Sequence, residues 1–132
     1  MKISRSTQYG LVAVGYIAQH DKAGPVMAQK VSKGYNIPLE YLLKILQQLV
    51  RANVLRSKRG PRGGFVLARR LEDIALLDII EAVEGPMVSD LHLAEQTDSE
   101  PFSLKMEDVC RKALARAREV YADARLSELL AD

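Results

Sequence analysis

Arg59 and Arg62 flank a proline in the run Arg59-Gly60-Pro61-Arg62-Gly63-Gly64-Phe65, and Lys58 precedes them. Two guanidinium groups on a tip with little side-chain bulk suit close approach to a polyanion. Arginine is favoured in a narrow, electronegative minor groove. A second set lies just upstream. Glu40, Tyr41 and Lys44 lead a segment of helical period, with Gln47 and Gln48 behind them. Glutamate can accept from cytosine N4, lysine can donate to guanine, and glutamine can pair with adenine. The same side chains also suit an ordinary solvated helix face, and the two arginines a plain surface hairpin. Their company separates the readings. Arg56, Arg69 and Arg70 lie on or beside the flanking strands, and no Asp or Glu occurs from Tyr41 through Leu71. Helix and hairpin together favour DNA. Ser4 and Arg5, near the start of the chain, complete the candidate DNA-binding set.

The elements that must position these residues follow from periodicity and turn chemistry. A first helix, capped by Ser4, Ser6 or Thr7, is expected to run to about residue 20, with a buried stripe at Tyr9, Val12, Ala13, Tyr16 and Ile17. Asp21–Pro25 is a turn, and Val26 suits a short strand. Met27–Lys33 reads as a short second helix with Ala28 and Val31 inward. Gly34 suits the left-handed position past its end. Pro38 can open a third helix, Pro38–Arg51, whose Leu39, Leu42, Leu46, Leu49 and Val50 face the core. Strands at Val54–Lys58 and Phe65–Arg69 bracket the glycine-rich tip. After the connector Leu71–Ala75, a helix at Leu76–Glu84 stops at Gly85-Pro86. Met87–Pro101 reads as a loop, and Ser103–Asp123 as a long helix followed by a short apolar tail.

The expected fold is therefore mainly α with a small β-hairpin wing. A winged helix-turn-helix domain (1–85) is followed by a loop (86–102) and a dimerisation helix with its tail (103–132). The long helix carries an apolar stripe through Met106, Val109, Cys110, Ala113, Leu114, Ala117, Val120 and Tyr121. That stripe can pack on its own domain or on a second copy, and small residues favour close helix approach. A homodimer would hold two reading helices for half-sites about 34–36 Å apart, hence a palindromic operator in double-stranded DNA.

Charge divides the 132 residues in two. Residues 1–70 hold 13 Lys/Arg against 2 Asp/Glu, a net +11. Residues 71–132 hold 6 against 15, a net −9. A basic half points to a polyanionic partner. The alternative is an interaction module whose acidic half binds protein. An enzyme is not expected: there is no Ser/His/Asp set, phosphate loop, HExxH or paired cysteines. No run is long enough to span a membrane, and no cleavage context follows Leu11–Ala18. A single cysteine, Cys110, makes no internal disulfide, so a reducing cytoplasm is the expected setting. Cys110 is expected on the inward side of the long helix as a small core hydrophobe. The sharper alternative is a redox-sensing thiol beside Arg111 and Lys112. His20 and His92 are isolated, so no metal site is expected.

Four stretches carry a family resemblance. They are Lys2-Ile3-Ser4 with Tyr9; Ile37-Pro38-Leu39-Glu40-Tyr41-Leu42; Arg59 through Arg69; and Leu77-Asp78-Ile79-Ile80-Glu81-Ala82-Val83-Glu84-Gly85-Pro86. In these the chain resembles the iron–sulfur-cluster-regulator family of winged-helix transcription factors, nearly end to end. The resemblance implies a homodimeric DNA-binding regulator, usually a repressor, with the long helix crossing to its partner. It implies DNA contact at Glu40, Tyr41, Lys44 and Arg59. Arg62 stands where many relatives carry glycine, so its contact rests on charge. Several relatives hold a cluster on three cysteines between the Glu-Gly-Pro stop and the long helix. Here Met87–Val109 has none, Cys110 stands where the last would be, and a relative's histidine ligand falls on Ala113. One thiolate does not make a conventional four-ligand cluster site. The expectation is no cofactor, with a cluster on other residues or bridged across a dimer as the alternative. The residues specify no effector.

Overall fold

The computed structural model describes residues 2–132. Seven helices and one antiparallel hairpin follow in the order α1 (Arg5–His20), α2 (Ala28–Tyr35), α3 (Leu39–Arg51), β1 (Leu55–Lys58), β2 (Gly64–Leu67), α4 (Leu76–Glu84), α5 (Leu93–Gln96), α6 (Pro101–Asp123) and α7 (Leu126–Leu129). Helix α1 packs on α4 and α3, with α2 and the hairpin closing the other sides of one core.

Ser4 caps α1 by accepting the Thr7 N–H at 3.2 Å. The buried face runs through Thr7, Gly10, Ala13, Val14, Ile17 and Ala18, and Val12 is exposed. The expected stripe holds at Ala13 and Ile17, with Tyr9 and Tyr16 partly buried against the core, and fails at Val12. Gly10 joins the buried face: with no side chain, it lets α1 lie against Ile45 and Val83.

Helix α2 continues through Gly34 to Tyr35, and the left-handed residue past its end is Asn36 (φ 55°). Asparagine tolerates this region because its short polar side chain can bond locally. Ser32 closes the turn by donating to the Ile37 carbonyl at 2.5 Å, while its own carbonyl accepts the Ile37 N–H at 3.0 Å. Helix α3 then buries Leu42, Ile45, Leu46 and Leu49. Full burial of each such side chain contributes about 1.5–3 kcal/mol, which outweighs any local propensity. Ile45 joins the expected core set, while Leu39 and Val50 are only partly buried against it.

The long connection after Gly85 is not all loop: α5 forms within it, and α6 begins at Pro101, two residues before the expected start. Two bonds fasten the start of α6. Ala94 N–H donates to Glu107 at 2.8 Å, and the Thr97 hydroxyl donates to the buried Ser103 at 2.7 Å. At the far end the chain returns to its own core. Leu76 N–H donates to the Ala124 carbonyl and Leu126 N–H to the Ile74 carbonyl, each at 2.9 Å, and Leu126 is buried among the core residues. Between these anchors Met106, Val109 and Val120 are 54%, 66% and 68% exposed. Cys110 is exposed as well, so its expected burial does not hold within the protomer. The half-buried edge of α6 runs instead through Glu107, Leu114, Ala117 and Tyr121.

Candidate nucleic-acid interface

The wing is a four-residue ladder from Leu55↔Leu67 to Lys58↔Gly64. Its tip closes with Gly63 N–H donating to the Gly60 carbonyl at 2.9 Å. A Cβ on Gly63 would lie 2.3 Å from the Lys58 carbonyl oxygen, and one on Gly64 2.5 Å from that of Val26. Gly63 therefore permits the turn. Gly64 permits Val26 to join the sheet, where it exchanges two bonds with Phe65 at 2.8 and 2.9 Å. Asp21 adds a further tie by accepting the Leu67 N–H at 3.0 Å. The hairpin is anchored along β2 while its tip stands exposed.

The basic residues around this hairpin fall into two groups. Arg69 donates to the Asn53 carbonyl at 3.0 Å and the Asp73 carbonyl at 3.1 Å, and lies 3.8 Å from Asp78. Arg70 donates to Asp73 at 3.0 Å. Arg69 braces the connector and is withdrawn from the cations the charge count offers to a polyanion, whereas Arg70 remains exposed with its charge offset by Asp73 at the surface. Lys58, Arg59 and Arg62 are exposed and form no ion pair among the described residues.

On α3 the three leading candidates, Glu40, Tyr41 and Lys44, are all exposed, and Gln48 is half-buried. Tyr41, Lys44 and Gln48 line one open groove of about 340 Å³ with Ser6, Gln47 and Arg51. Ser6 comes from the first turn of α1, and its hydroxyl is hydrogen-bonded to that of Tyr41. The Tyr9 ring meets the Tyr41 ring edge-on at 5.7 Å. Tyr41 is thus held from two sides while 42% exposed. Pre-set orientation of this kind lowers the ordering cost of a contact. Ser6 was expected only as a possible helix cap. Its partner is 35 residues away, and no local pattern announces it.

Ser4 and Arg5 border a second hollow with Lys2, Ile3 and Gln8. Arg5 is exposed and unpaired among the described residues, whereas the Ser4 hydroxyl is engaged with Thr7. Glu84, at the end of α4, accepts the Ser4 N–H at 3.0 Å and the Thr7 hydroxyl at 2.6 Å. Hydrogen bonding from Ser4, then from Thr7, holds the Glu84 carboxyl below the ordinary carboxylate value. No direct bond joins the wing tip to α3 among the described residues; the two are positioned separately on one core.

Within one chain the donor set does not fit a conventional cysteine-held iron–sulfur cluster. The chain has one cysteine, exposed on α6, with Ala113 three residues on. Among the described residues no three His, Cys, Asp or Glu side chains group in a way that could hold a metal ion. No helix among them is long and apolar enough to cross a membrane.

Comparison with known proteins extends over the whole arrangement. The model of the Rrf2 family, described as an iron-dependent transcriptional regulator, matches residues 3–132. The regulator CymR of Bacillus subtilis is 31% identical over 129 residues, covering 98% of this chain and 89% of that protein. The solved structure of CymR, the global cysteine regulator of B. subtilis, superposes with a TM-score of 0.82 at 28% identity, over 98% of this chain and 96% of that one. The solved structure of T. potens IscR gives 0.76 at 28% identity, over 98% and 86%. IscR of Cereibacter sphaeroides is 41% identical over 86 residues, which is 64% of this chain and 56% of that protein.

Proposed function

The chain belongs to the Rrf2 family of DNA-binding transcriptional regulators, and from that premise we propose that it is a cytoplasmic homodimer that represses transcription by occupying a palindromic operator. The observation that carries this reading is the division among the basic residues. Arg69 is engaged by two backbone carbonyls and Arg70 in a surface pair with Asp73, while Lys58, Arg59 and Arg62 stand exposed without ion-pair partners among the described residues on an anchored hairpin.

In this reading α3 enters the major groove by its N-terminal end. Glu40, Lys44 and Gln48 read base edges, and Tyr41 is fixed beside them. Arg59 and Arg62 reach the adjacent minor groove, and Lys58 and Arg5 meet phosphates. Ser4 caps the helix that presents Arg5. The exposed apolar face of α6, with Val109 and Val120, supports a second copy as its cover, because a face of this composition on a long helix is costly to leave in water. The single exposed cysteine supports a regulator without the three-cysteine cluster, and nothing in the proposed action passes through a metal. Cys110 is proposed as a redox-sensing position because its thiol lies on that same face of α6, where oxidation would act on the contact between copies.

Selection from a pool of random duplexes tests the proposal. The purified protein is expected to enrich a two-fold symmetric sequence. Arg59→Ala is expected to weaken binding at least about tenfold and to lower the slope of log affinity against log salt by about one. Failure to enrich any sequence at moderate salt would remove the specific reading and leave the wing to a protein partner.

A further inference from the structure

We propose that Glu84 is a positioning residue for sequence readout, acting through the first turn of α1 on Tyr41. This rests on the DNA-binding reading above. Glu84 occupies the last position of α4, where a carboxylate faces the negative end of its own helix. Its surroundings account for the choice. The carboxylate sits against the start of α1, at the positive end of that helix, accepting the Ser4 N–H at 3.0 Å and the Thr7 hydroxyl at 2.6 Å. Thr7 is fully buried while Glu84 is exposed, so the carboxylate closes the solvent side of this turn, and its removal leaves the Thr7 hydroxyl only the Ser4 hydroxyl or entering water as a partner. Ser6 lies between Ser4 and Thr7 in the same turn, and it bonds Tyr41 on the reading helix.

Helix α4 is itself tied to α6. One turn earlier on α4, Glu81 accepts Arg118 of α6 at 3.1 and 3.2 Å and the Met87 N–H at 2.7 Å. The end of α4 is thus held to α6 through Glu81 and to the start of α1 through Glu84, and that first turn bonds the exposed tyrosine through Ser6. Glu84 itself touches no DNA in this scheme. It sets where the Tyr41 hydroxyl stands, and so affects discrimination between sequences rather than general attraction to phosphate.

The test uses the full chain and the operator enriched above. Glu84→Ala is expected to lower the ratio of operator to random-duplex affinity on the order of tenfold, with random-duplex affinity falling far less, through the single phosphate contact of Arg5. Glu84→Gln keeps one acceptor oxygen and is expected to fall between Glu84→Ala and the parent. In a Tyr41→Phe background, Glu84→Ala is expected to cost little more, because both changes act on one contact. Hydrogen exchange without DNA reads the coupling directly: Glu84→Ala is expected to speed exchange in 2–9 and also in 38–44. An unchanged ratio, additive effects with Tyr41→Phe, or unchanged exchange in 38–44 would each overturn the proposal. Should Glu84→Ala not fold, Glu84→Gln carries the same measurements. If the parent protein prefers no sequence, the DNA reading fails, while the exchange data still decide whether Glu84 positions α3.

Discussion

Gly63 and Gly64 stand side by side and do different work. An alanine at Gly63 meets the carbonyl oxygens of Lys58 and Gly60, and these are backbone atoms of the turn itself. Gly60, although left-handed at φ 106°, faces open space. Gly63→Ala is therefore expected to cost about 1–3 kcal/mol and to misplace Arg59 and Arg62, whereas Gly60→Ala pays only the smaller left-handed strain of about 1–2 kcal/mol. Urea midpoints and operator affinity for the two variants check this. Gly63→Ala should lose more in both. The glycines, the proline and the arginines of the tip were legible in the sequence because each is a local signal. The status of the arginines was not. Arg59 and Arg69 are the same residue type in the same basic run, yet only Arg69 has acceptors. Those acceptors, the Asn53 and Asp73 carbonyls, are brought to it by the fold.

At the scale of elements, the position of every helix expected from periodicity was close to the one observed, and the errors have local causes. On α1 only Val12 of the expected stripe is exposed, and Gly10, which a count of apolar residues passes over, is buried against Ile45 and Val83. The end of α2 moved from Gly34 to Asn36 because asparagine can also take the left-handed position. In α6 only the burial expected of Cys110 fails within the protomer. Cys110 shares the apolar stripe, but α6 meets α4 and α5 along only one edge of it. The remainder, with Val109 at its centre, is the proposed contact with a second copy. Val109→Glu is expected to convert the dimer to a monomer by light scattering, while changing protomer stability by no more than about 0.5 kcal/mol, because the side chain is already exposed. Operator affinity should fall with it, since one half-site is then read at a time.

The whole molecule is one piece despite its two halves of opposite charge. The net +11 of residues 1–70 and net −9 of residues 71–132 suggest a reading head and an appendage. Yet Leu126 is buried in the same core as Val14 and Leu46. No sequence pattern signals that return: the tail is short, and its backbone partner, the Ile74 carbonyl, lies 52 residues back in the chain, at the end of the connector. The Glu84 contacts with Ser4 and Thr7 are hidden in the same way, since they span the length of the domain.

The fastening of α6 at both ends within its own protomer bears on inheritance. A dimer made only by laying two such braced helices together exchanges no segment, so its subunits can separate and re-pair without unfolding. Two differently tagged pools of the protein should form mixed dimers on simple mixing, visible by co-purification without denaturant. A cell carrying both the parent protein and Arg59→Ala would then hold pairs with one reading head impaired. Such a variant is expected to be dominant over the intact copy, derepressing the target even though half the subunits made are sound.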